Sequence, residues 1–343
     1  MHELLNTLYV TTQGTVLRLE HDTVRVLVDR ETRARLPLVR LQAVVAIGRV
    51  TVTTPLIHRC AVDGRSVVWL TRHGRFRARL TGGVVGNVML RRAQHEALND
   101  SAQVLLLARQ CVAGKVQNAR SLLLRAARDS TDAVDEAQLR AAAARLGALL
   151  GAIRESADLD TLRGLEGNAA RAYFVAFVRM VRADRRAFAP SGRTRRPPRD
   201  RANALLSFCY ALLRAECEAA LEGVGLDPQV GYLHALRPGR PALALDLMEE
   251  LRPAVVDRLA LRMINRRQIR AEHFDETPGG AVNLTEAGRR ATLAAYQKNK
   301  ERATPHRLLK DRVPVGLIPH VQARLLARHL RGDLKHYLPH VMR

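Results

Sequence analysis

The sequence contains few aromatic residues, few cysteines and no long hydrophobic run. Aromatic side chains make up 4% of the 343 residues, so a core drawn from the 47% hydrophobic residues must consist mainly of Leu, Val and Ala. None of the four cysteines forms a CxxC pair, which argues against structural zinc and indicates reduced, buried thiols. Without a basic-then-apolar leader or a run of about 18 apolar residues, we expect a cytoplasmic protein with no membrane partner.

Positive charge, in contrast, is abundant. The chain has 56 Lys and Arg residues against 33 Asp and Glu, a formal net charge of +23. This excess favours phosphate-rich partners, nucleic acid above all, with a membrane surface or an acidic protein as alternatives. Arginine preference is also typical of GC-rich genomes, so the sign of the charge is more informative than the scarcity of lysine, which occurs at Lys115, Lys298, Lys300, Lys310 and Lys335.

The pattern of hydrophobic residues changes once along the chain. Up to residue 80, short β-branched or alternating runs between turn-forming residues predict a small β-sandwich-like or barrel-like domain. After Gly82, Gly83 and Gly86, apolar residues recur at helical spacing. We therefore predict an α+β protein with an N-terminal β domain (1–82), a linker (83–88) and a larger all-α catalytic domain with a basic tail (89–343). The predicted strands are Leu8–Val10, Val16–Glu20, Thr23–Val28, Arg35–Pro37, Ala43–Ile47, Val50–Val52, Ser66–Leu70 and Arg75–Leu80.

Two basic segments interrupt or follow the helical pattern. Residues 182–201 hold eight arginines, two aspartates and three prolines, and so predict a loop between two helices. This loop is either a solvated connector or a phosphate-binding element. Residues 298–343 carry eleven Lys or Arg against three acids. Within them Val321–Leu330 predicts an amphipathic helix, whereas the order of the chain beyond Gly332 stays open.

Four residues form the candidate catalytic cluster. Glu166 is expected in the first turn of a helix, where a carboxylate is also common for structural reasons. His234 lies in a loop-like stretch, and a lone histidine there is often structural. Asp246 and Glu249 are three residues apart, so they share one helix face after the apolar run Ala242–Leu245.

Acids at the end of a buried run need a cation, since burying an uncompensated charge is costly. Glu250, one residue further, is expected to point to solvent. Glu166, His234 and Glu249 would give a three-ligand site of hard donors with open positions. Such a site suits Mg²⁺ or Mn²⁺ and phosphodiester chemistry.

Several segments resemble the CRISPR-associated adaptation endonucleases, the spacer integrases of CRISPR arrays. The matching stretches are GLEGNAARAYF, RRPPRDRANALLSFCYALL, GLDPQVGYLHALRPGRPALALDLMEELRP, LTEAGRRATLAAYQK and VPVGLIPHVQARLLARHLRG. The resemblance covers nearly the whole chain, and its tail is most similar to the type I-C version. Lys115 and Asn118 also match a recurring pattern of the family, with a role that could be interdomain packing.

The resemblance implies an N-terminal β domain, a helical catalytic domain and a homodimer. Two such dimers would flank a small ferredoxin-like partner in a heterohexamer that joins the 3′ ends of short duplex DNA to the CRISPR repeat by transesterification. It implies metal ligation by Glu166, His234 and Glu249, with support from Asp246. Candidate DNA-binding residues are Arg193, Arg195, Arg196, Arg199, Asn203, Arg237 and Arg240, although Asn203 could equally cap a helix.

Two other functions are alternatives to DNA integration, and the acid cluster argues against the second of them. A general structure-specific repair nuclease would use the same cluster on branched DNA without a dedicated partner. A non-catalytic DNA-binding scaffold would have no use for a desolvated cluster of acids.

Overall fold

A computed structural model describes residues 6–72, 76–80, 88–190, 192–194 and 197–342. The N-terminal part holds eight strands in two four-stranded sheets, of order β1-β5-β7-β8 and β4-β3-β2-β6, together with helix α1 (Thr54–Val62). The strands are β1 (Asn6–Val10), β2 (Thr15–Glu20), β3 (Thr23–Val28), β4 (Glu31–Pro37), β5 (Leu41–Ile47), β6 (Val50–Val52), β7 (Ser66–Leu70) and β8 (Phe76–Leu80).

The central strands of the first sheet are buried on both faces. On β5 and β7, Val44 and Val67 pack with the second sheet and α1, whereas Val45 and Val68 belong to the main core of the helical part. Strands β1, β5 and β7 run parallel, and doubly buried parallel strands are typically continuous apolar runs. This explains the sequences LQAVVAI and SVVWL, which show little alternation.

The C-terminal part is largely helical, so the predicted α+β order is confirmed. It also contains two short antiparallel pairs that the sequence analysis did not anticipate, β9 (Phe274–Glu276) with β10 (Val282–Leu284) and β11 (Ala303–His306) with β12 (Asp311–Pro314). The helices are α2 (Val88–Glu96), α3 (Ser101–Arg128), α4 (Ala133–Glu155), α5 (Leu159–Met180), α6 (Arg185–Phe188), α7 (Arg201–Gly223), α8 (Ala242–Leu251), α9 (Arg258–Asn265), α10 (Glu286–Glu301) and α11 (Ile318–Leu330).

The predicted linker 83–88 lies outside the described residues except for Val88, which begins α2. The division into domains at that point therefore stays a prediction. The β part contacts the helical part through β8, where Arg79 forms ion pairs with Glu218 and Glu222 of α7. In the part of the chain that the structure describes, no helix is long and apolar enough to cross a membrane.

The segment after α11 is packed rather than extended into solvent. Tyr337 and His340 are buried, and Asn118 of α3 donates a hydrogen bond to the His340 carbonyl at 2.8 Å. The segment reaches α3 because Gly114 has no side chain there. A Cβ atom at Gly114 would lie 2.7 Å from Cβ of Pro339, well inside normal contact.

Replacing Gly114 with Ala is expected to lower the free energy of unfolding by about 1–3 kcal/mol, because the added methyl group overpacks this contact. Gly151→Ala is the matched control, since a Cβ there meets nothing within 4 Å and the helix gains about 0.5–1 kcal/mol. Urea denaturation measures both variants. Equal effects of the two substitutions would show that the C-terminal segment does not pack on α3.

Candidate active site

Helix α8 presents two of the predicted acids on one face, as their spacing requires. Asp246 is 1% exposed and Glu249 is 4% exposed, at the end of the buried run that begins α8. Pro253 does not end the helix. Residues Arg252–Asp257 form a π-helical segment that leads directly into α9. Such segments often occur at functional sites, because the wider turn changes which side chains face a neighbour.

Asp246 holds His234 in place rather than standing beside the other carboxylates. Its two oxygens accept hydrogen bonds from the backbone N–H groups of Tyr232, Leu233 and His234, at 2.6, 3.0 and 3.0 Å. The same carboxylate lies 2.6 Å from Nδ1 of His234. A carboxylate at Nδ1 favours the tautomer that carries its proton there, which leaves Nε2 available as a ligand or proton acceptor.

Two further residues fix the loop that carries His234. Gly231 permits its close approach to α8, since a Cβ atom there would lie 2.6 Å from the carbonyl carbon of Ala242. The fully buried side chain of Gln94 on α2 donates to the Asp227 and Val230 carbonyls at 2.8 and 3.1 Å. Sequence reasoning missed Gln94, because nothing in its local pattern marks it as buried.

Lys115 of α3 brings Glu166 and Glu249 together. Its ammonium pairs with Glu166 Oε1 and lies 2.6 Å from Glu249 Oε2. The other oxygen of Glu249 accepts a hydrogen bond from Arg252 at 3.1 Å and lies 3.8 Å from Nε2 of His234. Lys115 thus joins two of the predicted ligands, Glu166 and Glu249, and the third, His234, lies beside Glu249.

The charges in this cluster depend on one another. Burial alone would raise the pKa of the Glu249 carboxyl, but Arg252, Lys115 and His234 outweigh burial and hold it well below its usual range. Burial likewise opposes the charged form of Lys115, yet Glu249 and Glu166 raise its pKa above the ordinary value. The Glu249 carboxylate and the Lys115 ammonium thus keep each other ionised although both are buried.

The donor chemistry of the cluster fits a hard divalent ion. Two carboxylates and one imidazole are suitable ligands for Mg²⁺ or Mn²⁺. Among the described residues, Glu249 Oε2 finds no hydrogen-bond partner, although the Lys115 ammonium is close. No group of three His, Cys, Asp or Glu side chains within those residues is already arranged as a metal cage. The Lys115 ammonium lies between the carboxylates where an ion would bind, so an ion would have to displace it.

Two sequence predictions about the acids need correction. Glu166 does not lie in a first turn, because α5 begins at Leu159 and is capped by Asp158, whose side chain accepts from the Thr161 N–H. Its carboxylate is therefore placed by the middle of a helix and not by the helix dipole. Glu250 does not point to solvent, since it is 1% exposed.

Glu250 instead anchors the C-terminal segment behind α8. Its carboxylate accepts hydrogen bonds from the Tyr337 hydroxyl at 2.8 Å, the Gln322 amide at 2.9 Å and the His340 N–H at 3.0 Å. Burial raises the pKa of Glu250 to about 8, although these donors oppose the rise. The two neighbouring acids of α8 therefore have different partners: Glu249 belongs to the candidate cluster, and Glu250 anchors the C-terminal segment.

A small aromatic pocket opens beside Lys115. Asp257, at the end of the π-helical segment, accepts hydrogen bonds from the hydroxyls of Tyr173 and Tyr210 at 2.9 and 2.5 Å. The guanidinium groups of Arg193 and Arg252 lie over the Tyr210 ring, 5.4 and 4.7 Å from its centroid. These are cation–π distances, so both arginines are partly engaged inside the protein.

The predicted DNA-binding residues fall into different environments. Arg193 points inward and donates to Asn203 Oδ1 at 2.7 Å and to Ser207 at 3.1 Å. Asn203 is fully buried, and Asp200 rather than Asn203 caps α7, so neither role suggested for Asn203 matches its position. Arg199 donates to the Gly279 carbonyl at 2.6 Å.

The remaining members of that set divide by what the structure describes. Arg195 and Arg196 lie outside the described residues. Arg237 is exposed and Arg240 is half-buried, in the loop that follows His234. These two are the arginines of the set that lie next to the cluster with their side chains directed to the surface.

A family model for "CRISPR associated protein Cas1" matches residues 8–298. The chain belongs to the Cas1 family. It is 54% identical to the CRISPR-associated endonuclease Cas1 1 of Moorella thermoacetica over 343 residues, which is the full length of both proteins. The Cas1 protein of Thermotoga maritima has the same fold, with a TM-score of 0.80, 25% identity and coverage of 95% of this chain and 97% of the other.

A larger Cas1 assembly also matches. A chain of a "Cas6-RT-Cas1--Cas2 complex" superposes with a TM-score of 0.81 and 25% identity over 97% of this chain and 36% of that one. The Cas1 region is thus one part of a longer polypeptide in that relative.

Neither Lys115 nor Arg252 could be assigned to the site from local pattern alone, although the segment GKVQNAR, which contains Lys115, resembles the family.

Replacing Lys115 with Met is expected to destabilise the metal-free protein by about 3–5 kcal/mol, since the buried Glu249 and the half-buried Glu166 lose their shared cation. Urea denaturation in EDTA measures the loss, and Lys298→Met on the exposed face of α10 is the matched control. Added Mn²⁺ should restore more stability to Lys115→Met than it adds to the unsubstituted protein. Unchanged stability in EDTA would mean that the ammonium does not hold the carboxylates together.

Proposed function

We propose that this Cas1-family endonuclease and integrase acts in spacer integration by joining 3′-hydroxyl ends of short duplex DNA to the CRISPR repeat, at the Glu166, His234 and Glu249 cluster. The observation that carries the proposal is that Lys115 pairs with the half-buried Glu166 and the buried Glu249, while the Asp246-held His234 lies 3.8 Å from Glu249. A purely structural ion pair would need neither the imidazole nor Arg237 and Arg240 in the loop that follows it. The same cluster would hold Mg²⁺ or Mn²⁺ as its cofactor.

The chain's own residues have distinct parts in this reaction. Glu166, Glu249 and His234 would hold the ion, and Asp246 keeps the imidazole oriented. When bound, the ion would polarise the scissile phosphate and neutralise charge that develops on it. Arg237 and Arg240 would position the phosphate from the surface loop, and Lys115, once displaced, remains next to the incoming anion.

The joining step needs no covalent link between protein and DNA. The 3′-hydroxyl oxygen of the short duplex forms a new bond to phosphorus, the bond to the leaving 3′ oxygen breaks, and one proton moves from the attacking to the leaving oxygen. With water as the nucleophile, the same site would nick DNA. One set of residues therefore accounts for both joining and hydrolysis.

The assembly is part of the proposal. We infer a homodimer that binds double-stranded DNA and joins a small ferredoxin-like partner in a heterohexamer, in the cytoplasm. The family resemblance supports it, and the name of the Cas6-RT-Cas1--Cas2 structure states that this relative assembles with Cas2. The tail motif VPVGLIPHVQARLLARHLRG supports a type I-C-like version.

An integration assay tests the function directly. The protein, with and without its partner, is mixed with a short duplex carrying free 3′ ends and a supercoiled plasmid bearing a repeat. Glu166→Ala and His234→Ala are each expected to lower joining by at least about 100-fold, and EDTA should abolish it. Glu155→Ala, an exposed acid at the end of α4, is the matched control.

The pattern of products separates the alternatives. Cleavage of branched DNA without joining would favour a structure-specific repair nuclease. Joining that survives both substitutions would place the chemistry elsewhere.

A further inference from the structure

A second basic site lies apart from the catalytic cluster. Arg125 of α3, Arg258 and Arg262 of α9, and Arg302 at the end of α10 are close enough to influence one another's charge. Arg125 and Arg258 line a cavity of about 280 Å³, together with Arg128, Arg140, Ser121, Leu122, Leu124 and Met342. The sequence analysis assigned no role to these arginines.

The cluster lacks internal compensation. Burial, together with the neighbouring Arg302, Arg125 and Arg262, lowers the pKa of Arg258 to about 10, and no carboxylate acts in the other direction. The pKa of Arg302 is lowered in the same way by burial and by Arg125. Among the described residues, none of the four arginines has an ion pair with an acid; Arg262 donates to the neutral side chain of Asn299 at 2.7 Å.

Arg258, Arg262 and Arg302 are half-buried, and Arg125 is exposed at their edge. Half-buried like charges cost free energy unless an anion neutralises them. Arginine is also the side chain best shaped to grip phosphate, because its planar fork donates two parallel hydrogen bonds. Arg140 in the cavity wall already pairs with Glu136 at 2.8 Å, whereas Arg125, Arg128 and Arg258 do not pair with an acid among the described residues. A cavity lined by these three guanidinium groups therefore fits a phosphodiester better than a single carboxylate. Met342 in its wall shows that the docked C-terminal segment helps to form it.

The position of the cluster relative to Lys115 sets a distance. Lys115 and Arg125 are ten residues apart on α3, which is about 15 Å along a helix. At about 3.4 Å per nucleotide along a strand, this corresponds to about four nucleotides. The continuous rod from α8 through the π-helical segment to α9 links Glu249 to Arg258 in parallel with α3.

We propose that Arg125, Arg258 and Arg302 form a backbone-binding site that holds the DNA about four nucleotides from the reacting phosphate. The inference rests on the proposed function, since the phosphodiester is that of the DNA to be joined. It adds a contact that neither the catalytic cluster nor the Arg237 and Arg240 loop supplies. The site recognises charge and spacing, not sequence.

The test compares two triple variants of the full-length protein with equal loss of charge. R125Q/R258Q/R302Q removes the cluster, and R40Q/R154Q/R328Q removes three exposed arginines elsewhere. Binding of a labelled duplex is measured by anisotropy in EDTA over a range of KCl concentrations. The cluster variant should show a slope of log K against log salt that is shallower by about 2–3, and the control variant should match the unsubstituted protein.

Duplex length provides the positional test. On DNA that ends within about four nucleotides of the reacting phosphate, the cluster variant should bind as the unsubstituted protein does. An unchanged salt slope on long DNA would overturn the proposal and favour an acidic protein partner. An equal change in both triple variants would overturn it as well, because net charge alone would then explain the effect.

Stability separates loss of binding from loss of folding. Removing mutually repelling arginines should leave the Tm unchanged or raise it, and a clearly lower Tm would contradict an uncompensated cluster. The single variant R302Q, with an expected slope change of about 1, repeats the test with the smallest perturbation. Because all binding is measured without metal, failure of the joining reaction itself would leave these outcomes distinguishable.

Discussion

The ammonium of Lys115 between the carboxylates of Glu166 and Glu249 is the interaction on which the candidate site depends. It joins three helices, because each residue comes from a different one. The buried carboxylate of Glu249 and the half-buried carboxylate of Glu166 would repel each other without it. The same arrangement suits the cluster to metal binding, since a site that stabilises an ammonium between two carboxylates also attracts a divalent cation. The same two carboxylates therefore account both for the stability of the metal-free cluster, through Lys115, and for its suitability for a metal ion.

The precision of this cluster comes from supports that lie behind it. The Asp246 carboxylate accepts a hydrogen bond from the backbone N–H of His234 and contacts its ring. Gln94, on helix α2, donates to the turn that precedes this segment. On the opposite side of α8, Glu250 fixes the C-terminal segment, so that all but one residue of α8 is buried. A helix held on both sides cannot rotate without breaking hydrogen bonds. The side chain of Glu249 is therefore presented in one orientation, which a metal ligand would also need.

The sequence was most informative where local rules decide the outcome. Strand positions in the β part and the shared face of Asp246 and Glu249 followed from periodicity, and those predictions agree with the structure. Glu250 was misjudged because its burial depends on a segment some ninety positions away in the chain. Glu166 was misplaced within its helix because the Asp158 cap, a stronger signal than the nearby glycines, was overlooked. Lys115 and Gln94 act through tertiary contacts that no local pattern reveals.

Arginine number alone is a poor guide to DNA contacts in so basic a chain. Arg193 lies in the loop whose composition predicted a possible phosphate-binding element. Its guanidinium N–H groups, however, donate to Asn203 and Ser207, and its planar face lies over the Tyr210 ring. Arg258 lies in an unremarkable helix, yet Arg125, Arg262 and Arg302 lie near it, and within the described parts of the chain no acid forms an ion pair with any of them. A folded protein satisfies its charges internally where it can, so those left uncompensated indicate where an external anion completes the structure. By this criterion the proposed DNA path runs from the loop after His234, past the cluster, to the arginines at the junction of α3 and α9.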